Sequence, residues 1–256
     1  MRLAAAFAVL TVATAPLACG GGGARELLPD LDQAAPGAIS LIRSDGNVRL
    51  VFSSAVDNVG PGPLLVEGSR ASQATENMTV RQLVRRIDGS TATYPVAGVI
   101  RFVRSETHRH WHLLAFERYE LRRASDGALV GRDRKTGFCL GDRYDSDREA
   151  TLPNEPSQPV WHEECGRGQP HLLAVRAGIS PGYGDDYVPV LEGQHVDVTG
   201  IGAGRYLLVH RVNPDRTLRE SDYGNNAASV LLALRQRGSD LTVTLVRTCP
   251  DSERCP

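Results

Sequence analysis

The stretch from Gly98 to Phe116, GVIRFVRSETHRHWHLLAF, decides how the fold of this chain is interpreted. Apolar runs at Gly98–Val103 and Leu113–Phe116 flank a group of histidines and indicate a β-strand. The histidines are His108, His110 and His112. Because strand residues two positions apart point to the same face, the three imidazoles are expected to stand in a row on one side.

A row of imidazoles is a set of metal ligands, and neutral ring nitrogens suit borderline divalent ions such as copper or zinc. The alternative is a set of surface histidines that share no ligand, which explains one histidine better than three within five residues. The chain has seven histidines in all. Any of the other four could supply a fourth ligand or orient one of the three: His162, His171, His195 and His210.

Short strands and frequent turns occupy most of the chain. Alternation at Asn47–Ser53, Asp-Gly turns at 88–89 and 126–127, and strand-like sequences at 195–198 and 206–212 are typical of antiparallel sheets. We predict an all-β fold, a β-sandwich-like single domain with many loops and few short helices. The net charge of −1 gives no sign of nucleic acid as a partner.

The N-terminus predicts export. Met1-Arg2 and the apolar run Leu3–Leu17 are typical of a signal peptide that is too short to span a bilayer. Leu17-Ala18-Cys19-Gly20 is similar to a bacterial lipoprotein cleavage site, with ordinary signal-peptidase cleavage as the alternative. The predicted organisation is a lipoprotein-type signal peptide over residues 1–19, a glycine-rich tether over 20–26 and one domain over 27–256.

Four separated segments together resemble the catalytic domain of the lysyl oxidase family, the copper-dependent oxidases of peptidyl lysine. Their order and spacing agree with the family over most of residues 28–234. The segments are His108–His112, similar to the copper motif; Arg134–Leu140, with the cofactor lysine; Gly178–Tyr187, with the cofactor tyrosine; and Val212–Asn226, a hallmark near the C-terminal end.

The resemblance implies an activity and its cofactors. Copper would be bound by the three histidines, and a lysine tyrosylquinone would form from Lys135, the only lysine in the chain, and Tyr187. The implied reaction is oxidative deamination of primary amines to aldehydes, with release of hydrogen peroxide and ammonia. Asp185 and Asp186 are candidates for the general base, and ordinary turn chemistry is the alternative for at least one of them.

The cysteines fit an oxidising compartment. Cys249 and Cys255 are close enough in sequence to close a short loop. In the lysyl oxidase family, the counterparts of Cys139 and Cys165 have partners that this chain lacks, so we expect these two cysteines to pair with each other.

Oxygen-bearing side chains crowd Glu220–Asn226 and suit calcium. In the family the similar segment holds calcium together with a Pro-Asp-Leu near the start of the domain, here residues 29–31. The ligands implied by the resemblance are Asp30, Leu31, Glu220, Asp222, Asn225 and Asn226. A polar turn capped by asparagine side chains is the alternative.

Two classes of function stay open. One is an active oxidase whose partner is a primary amine, either a protein lysine or a small amine. The other is a non-catalytic exported metal-binding β-sandwich module that binds a cell-surface partner. Retention of Lys135 and Tyr187 favours the oxidase. We expect an extracellular or cell-envelope location, with membrane contact only through a lipid anchor at Cys19.

Overall fold

Antiparallel β-strands form the regular structure of the protein. The computed structural model describes residues 24–105, 108–133, 135, 137–146, 150–162, 164–189, 191–238 and 240–256. The predicted signal peptide, the lipidation site at Cys19 and the first part of the predicted tether lie outside these residues. Within the described part of the chain, no helix has the length and apolar character needed to cross a membrane.

The first nine strands are β1 (Glu26–Leu27), β2 (Leu31–Gln33), β3 (Gly37–Ser44), β4 (Asn47–Asn58), β5 (Leu64–Ser69), β6 (Asn77–Arg86), β7 (Thr91–Phe102), β8 (Trp111–Leu113) and β9 (Glu117–Arg123). The next eight are β10 (Leu129–Arg132), β11 (Tyr144–Asp145), β12 (Ala174–Ile179), β13 (Tyr183–Tyr187), β14 (His195–Asp197), β15 (Gly204–Val212), β16 (Ala227–Arg237) and β17 (Asp240–Cys249). The all-β prediction is confirmed. The few short helices that we expected are not found among the described residues.

The strands pair into three antiparallel sheets. The first has the order β12-β5-β6-β7-β8, with β1 also paired to β6. The second has the order β10-β9-β15-β16-β17. The third has the order β11-β13-β4-β14, and the long β4 also pairs with β2 and β3. Both predicted Asp-Gly turns are confirmed: Gly89, between β6 and β7, and Gly127, between β9 and β10, have φ angles of +82° and +71°.

The sequence of β6 shows how alternation builds the core. Met78, Val80, Gln82 and Val84 are buried, whereas most residues between them are exposed. Buried apolar side chains from all three sheets join in one cluster. Its members include Val66 and Val80 from the first sheet, Leu121 and Leu208 from the second, and Leu50 and Phe52 from the third.

The segment that carries the histidines joins the first sheet only at its end. β8 begins at Trp111, and both His108 and His110 precede it in a loop. Backbone hydrogen bonds of 2.9 Å from Val103 N to His110 O and from Ser105 N to His108 O close that loop. The prediction of one strand through all three histidines is therefore wrong, because the chain turns back on itself before β8.

Candidate metal and cofactor site

Three buried imidazoles face one another at the end of the first sheet. The ring centroids of His108, His110 and His112 are 5.4, 5.2 and 4.6 Å apart in pairs. One possible ligand atom from each lies within 4.8 Å of the others. Among the described residues, this is the only group of three or more His, Cys, Asp or Glu side chains close enough to share a metal ion.

The protonation and hydrogen bonding of these rings fit a bound metal. Burial lowers the pKa of His110 to about 4 and the pKa of His112 to about 2, and it also lowers the pKa of His108. The rings are therefore neutral near pH 7, which is the form that binds metals. Both ring nitrogens of His110 and Nδ1 of His112 are buried without a hydrogen-bond partner among the described residues, so a metal ion would satisfy one nitrogen of a ring that burial otherwise penalises.

The sequence does not decide which histidine, if any, is a fourth ligand. In the structure, none of the other four histidines joins the group. His210 is fully buried on β15, where its ring contacts Phe52 and Tyr119 at centroid distances of 4.8 and 4.3 Å. His162 and His171 are exposed. His195 lies on β14 in the third sheet.

A short loop after Cys165 supports the back of the histidine segment. The Trp111 N–H donates to the carbonyl of Cys165 at 2.9 Å, and the indole Nε1 donates to the carbonyl of Gln169 at 3.0 Å. Gly168 N donates to the carbonyl of Arg109 at 2.6 Å. Trp111 lies between His110 and His112 in the sequence. By fixing Trp111, these bonds also fix the backbone from which both imidazole rings project.

Lys135 and Tyr187 are in contact. The Lys135 ammonium lies 4.3 Å from the centroid of the Tyr187 ring and 5.1 Å from that of Phe138. Burial lowers the pKa of Lys135 to about 8, although nearby carboxylates led by Glu117 oppose this shift. The Lys135 backbone N–H donates to Asp133 Oδ1 at 2.9 Å, which anchors the loop that carries the lysine. The two residues predicted to form the cofactor are thus brought together.

Asp185 binds the hydroxyl group of the same tyrosine. The Tyr187 hydroxyl donates to Asp185 Oδ2 at 2.7 Å, and the other carboxylate oxygen lies 3.5 Å from Arg143 Nε. Burial raises the pKa of Asp185 to about 8 despite the cation. Asp186, the second candidate base, points the other way along β13 and is exposed. Both residues lie on a strand, so the alternative of turn chemistry is wrong.

Two disulfides are present, and both are the predicted pairs. Cys139–Cys165 has a Cα–Cα distance of 5.7 Å, and Cys249–Cys255 has one of 5.5 Å. The first joins the two halves of the site. The carbonyl of Cys139 lies 3.3 Å from the Tyr187 hydroxyl, and the carbonyl of Cys165 holds the histidine segment.

Sequence reasoning missed two carboxylates near the site. Glu117 is buried on β9, where it accepts hydrogen bonds from Ser54 at 2.6 Å and Tyr119 at 2.5 Å, and burial raises its pKa to about 7. A glutamate at an inward position of a strand was a signal that could have identified it. Glu192 lies beside His108, with 3.4 Å between its Oε2 and Nδ1 of the ring. No sequence pattern marks that contact.

The predicted calcium ligands gather in part. Glu220 is buried and accepts the Leu31 N–H at 2.9 Å, while Asn225 donates to Asp30 at 2.8 Å. Asn226 also donates to Glu220, at 2.9 Å. The side-chain oxygens of Asn225 and Asn226 are buried without a partner among the described residues, which is compatible with cation ligation.

Asp222 differs from the other predicted calcium ligands. It is exposed, and its Oδ1 accepts the N–H of Gly224 at 2.7 Å. This is a capped polar turn like the one given as the alternative, although the capping side chain is an aspartate and not an asparagine. At this one residue, the structure favours the turn.

A family model described as lysyl oxidase matches residues 67–245, which is more than half of the sequence. The chain belongs to the lysyl oxidase family. The matched range includes the three histidines together with Lys135 and Tyr187, which are the residues of the candidate site. The family resemblance predicted from the sequence is confirmed.

Similar proteins include protein-lysine 6-oxidases. The protein from Rattus norvegicus is 32% identical over 123 residues, which cover 46% of this chain and 25% of that protein. The protein from Sus scrofa is also 32% identical over 123 residues, covering 46% and 41%. Lysyl oxidase homolog 4 from Mus musculus is 30% identical over 133 residues, covering 52% and 15%. The match therefore spans less than half of the length of these relatives.

Proposed function

We propose that the protein is a copper-dependent amine oxidase that converts primary amines to aldehydes, hydrogen peroxide and ammonia through a lysine tyrosylquinone made from Lys135 and Tyr187. One observation carries this proposal: the only lysine of the chain lies 4.3 Å from the ring of Tyr187. A module that only bound a partner would have no use for this half-buried lysine beside a buried tyrosine. Membership of the lysyl oxidase family supports the same reaction class.

The three histidines would hold the copper ion. When bound, copper would supply one-electron chemistry with dioxygen, and the quinone would supply the electron sink that unmodified side chains lack. The neutral imidazoles accept a divalent ion without first losing protons. His110 and His112 contribute rings that the Cys165–Gln169 loop holds in place through Trp111.

The residues around Tyr187 would prepare and carry out proton transfer. Asp185 accepts the hydrogen bond of the tyrosine hydroxyl in the structure, and in catalysis its carboxylate would accept the α-proton of the substrate amine. Arg143 lies 3.5 Å from the same carboxylate and favours its ionised form. Phe138 packs edge-on against Tyr187 at a centroid distance of 5.1 Å and excludes water from that side.

Low lysine basicity would help cofactor formation. An amine must be neutral to form a new bond to a ring carbon, and burial has already brought the pKa of Lys135 down to about 8. A sizeable share of the lysine is therefore neutral close to physiological pH. The chain offers no competing lysine.

Calcium and export are further parts of the proposal. A calcium ion held by Asp30, Glu220, Asn225 and Asn226 is supported by the unpartnered asparagine oxygens. Export to an oxidising compartment is supported by the two disulfides. Lipid attachment at Cys19 is the predicted means of retention at a membrane.

Peroxide release tests the proposal. Copper-loaded, aerobically matured protein is expected to release hydrogen peroxide and ammonia in equal amounts from at least one member of a panel of lysyl peptides and small primary amines. Lys135→Arg and Tyr187→Phe should reduce the rate to that of copper-free protein. Tyr183→Phe is the matched control, because the Tyr183 hydroxyl bonds the carbonyl of Pro156 outside the site. Full copper loading without peroxide from any amine would contradict the oxidase and favour the binding module.

A further inference from the structure

We propose that Glu192 is a positioning residue for the metal: it orients His108 so that Nε2 of that ring faces the other two imidazoles. This inference rests on the proposed copper site. It assigns a role to a loop residue between β13 and β14 that no sequence pattern singled out.

The geometry places the carboxylate on one side of the ring. Glu192 Oε2 lies 3.4 Å from Nδ1 of His108. The imidazole is buried, whereas the Glu192 side chain is 56% exposed and approaches from the solvent side. When the proton is on Nδ1 and that N–H donates a hydrogen bond to Glu192, the available lone pair of the ring is on Nε2 and can bind a metal.

His108 is the member of the group that needs such a partner. Its support differs from that of His110 and His112, which flank Trp111 and are fixed by the bonds of the Cys165–Gln169 loop. Like His110, His108 precedes β8, but the backbone hydrogen bonds found for it among the described residues are both to Ser105, within the same loop. A ring held by its backbone on a loop can rotate, and a carboxylate on Nδ1 restricts that rotation and selects the tautomer.

The same contact makes the ring a better ligand. A carboxylate that accepts the second N–H of a ligating histidine raises the basicity of the nitrogen on the metal, and loss of such a partner weakens metal binding by roughly 10–100-fold. Because Glu192 is more than half exposed and its contact is long, we expect the lower end of that range, about tenfold.

Glu164 provides a matched control. It is a carboxylate of similar exposure, 53% for the side chain, and it pairs with Arg167. It also acts electrostatically on His110. Replacing Glu164 therefore changes the net charge around the metal in the same way as replacing Glu192, without removing a hydrogen-bond acceptor from a ring.

The experiment measures copper affinity by competition with a chromophoric chelator. All variants are made in a Lys135→Arg background, so that cofactor formation and turnover do not enter the result. Glu192→Ala should lower the affinity for copper by about tenfold. Glu192→Gln keeps an acceptor oxygen, so its copper affinity should lie between that of Glu192→Ala and that of the parent. Glu164→Ala should stay close to the parent, and melting temperatures should confirm that all four proteins fold.

Pulsed electron paramagnetic resonance gives a second readout. The signal from the non-coordinated nitrogen of a copper-bound imidazole depends on the hydrogen bond at that nitrogen. Glu192→Ala should change the signal of one of three imidazoles, and Glu164→Ala should leave all three unchanged.

The outcomes separate the two proposals. A parent protein that binds no copper would overturn the proposed function and this inference with it. Copper binding that is equally tight in Glu192→Ala, or that weakens equally in Glu164→Ala, would overturn the inference alone. So would a Glu192→Ala enzyme, made with Lys135 intact, that changes only in its KM for amines, because Glu192 would then act on the substrate.

Discussion

Asp185 and Asp186 are neighbours with opposite environments, and the alternation of β13 is the cause. The first is buried against Tyr187 and Arg143, and the second is exposed. Asp185→Asn should lower kcat by about 100-fold or more, the usual contribution of a general base. Asp186→Asn should change kcat little. The two variants differ by one position, so comparable losses in both would contradict the assignment of Asp185.

The raised pKa of Asp185 also predicts a pH profile. A general base works in its ionised form, and burial keeps this carboxyl group protonated until the pH nears about 8. The ionised, active fraction grows as the pH rises, and the raised pKa moves this change up towards pH 8. We therefore expect kcat to increase about tenfold per pH unit below pH 8 and then level off. Steady-state rates between roughly pH 6 and pH 9 check this. A kcat that is already constant at pH 6 would count against a buried base.

The residues of the candidate site were predictable where they belong to a sequence pattern or a family motif. The three histidines, Lys135 and Tyr187 were all identified from the sequence. Glu192 and Arg143 were not, because each reaches the site through a loop whose path the sequence does not specify. The choice between Asp185 and Asp186 also needed the structure, since only the direction of β13 decides which of the two is buried.

At the scale of elements, the Cys139–Cys165 disulfide ties the lysine and tyrosine side of the site to the histidine side. Its sequence separation is 26, and that of Cys249–Cys255 is 6. In the chain-entropy model, which is one of several accounts, these loops stabilise by about 3.5 and about 2 kcal/mol. The two bridges therefore contribute similar amounts to the stability of the protein, but only Cys139–Cys165 lies at the candidate site.

Removing each bridge separates stability from site geometry. Cys139→Ser with Cys165→Ser should lower both the melting temperature and the copper affinity, because the Cys165–Gln169 loop would lose its anchor. Cys249→Ser with Cys255→Ser should lower only the melting temperature. Calorimetry and copper competition on the two double variants measure both properties. Unchanged copper affinity in the first pair would show that the bridge does not support the metal site.

Strands with clear alternation or long apolar runs were predicted well. The predicted run 206–212 lies inside β15, and the predicted strand at Asn47–Ser53 lies inside β4. The histidine segment was interpreted incorrectly, because His-x-His-x-His alternates like a strand whether or not it pairs with one. Backbone hydrogen bonds from Val103 and Ser105 close a loop there, and only tertiary contacts decide that.

At the scale of the whole molecule, the N-terminal segment is joined to the segment Glu220–Asn226. Ser221 N donates to the carbonyl of Pro29 at 2.8 Å, and Gln33 N donates to the carbonyl of Asn225 at 3.1 Å. Burial raises the pKa of Glu220 to about 7, which a bound cation would reverse. A calcium ion here would stabilise the link between the segment before β3 and the segment Glu220–Asn226.

Chelation tests the calcium proposal. In copper-free protein, removing calcium should lower the melting temperature, since a ligand at 100 times its Kd stabilises by about 2.7 kcal/mol. Adding calcium back should restore it, and magnesium at the same concentration should not, because it demands a tighter octahedral site. Scanning calorimetry is the measurement. The same melting curve with and without chelator would favour a polar turn at Glu220–Asn226.

Lys135 and Tyr187 are expected to become one cofactor, and peptide mapping tests this most directly. Wild-type protein, matured aerobically with copper and then treated with phenylhydrazine, should yield one coloured species that joins the Lys135 and Tyr187 peptides. Lys135→Arg should yield neither the cross-link nor the colour, and Tyr183→Phe should yield both. If copper-loaded wild-type protein gives only two separate peptides and no colour, the cofactor does not form and the oxidase account is contradicted.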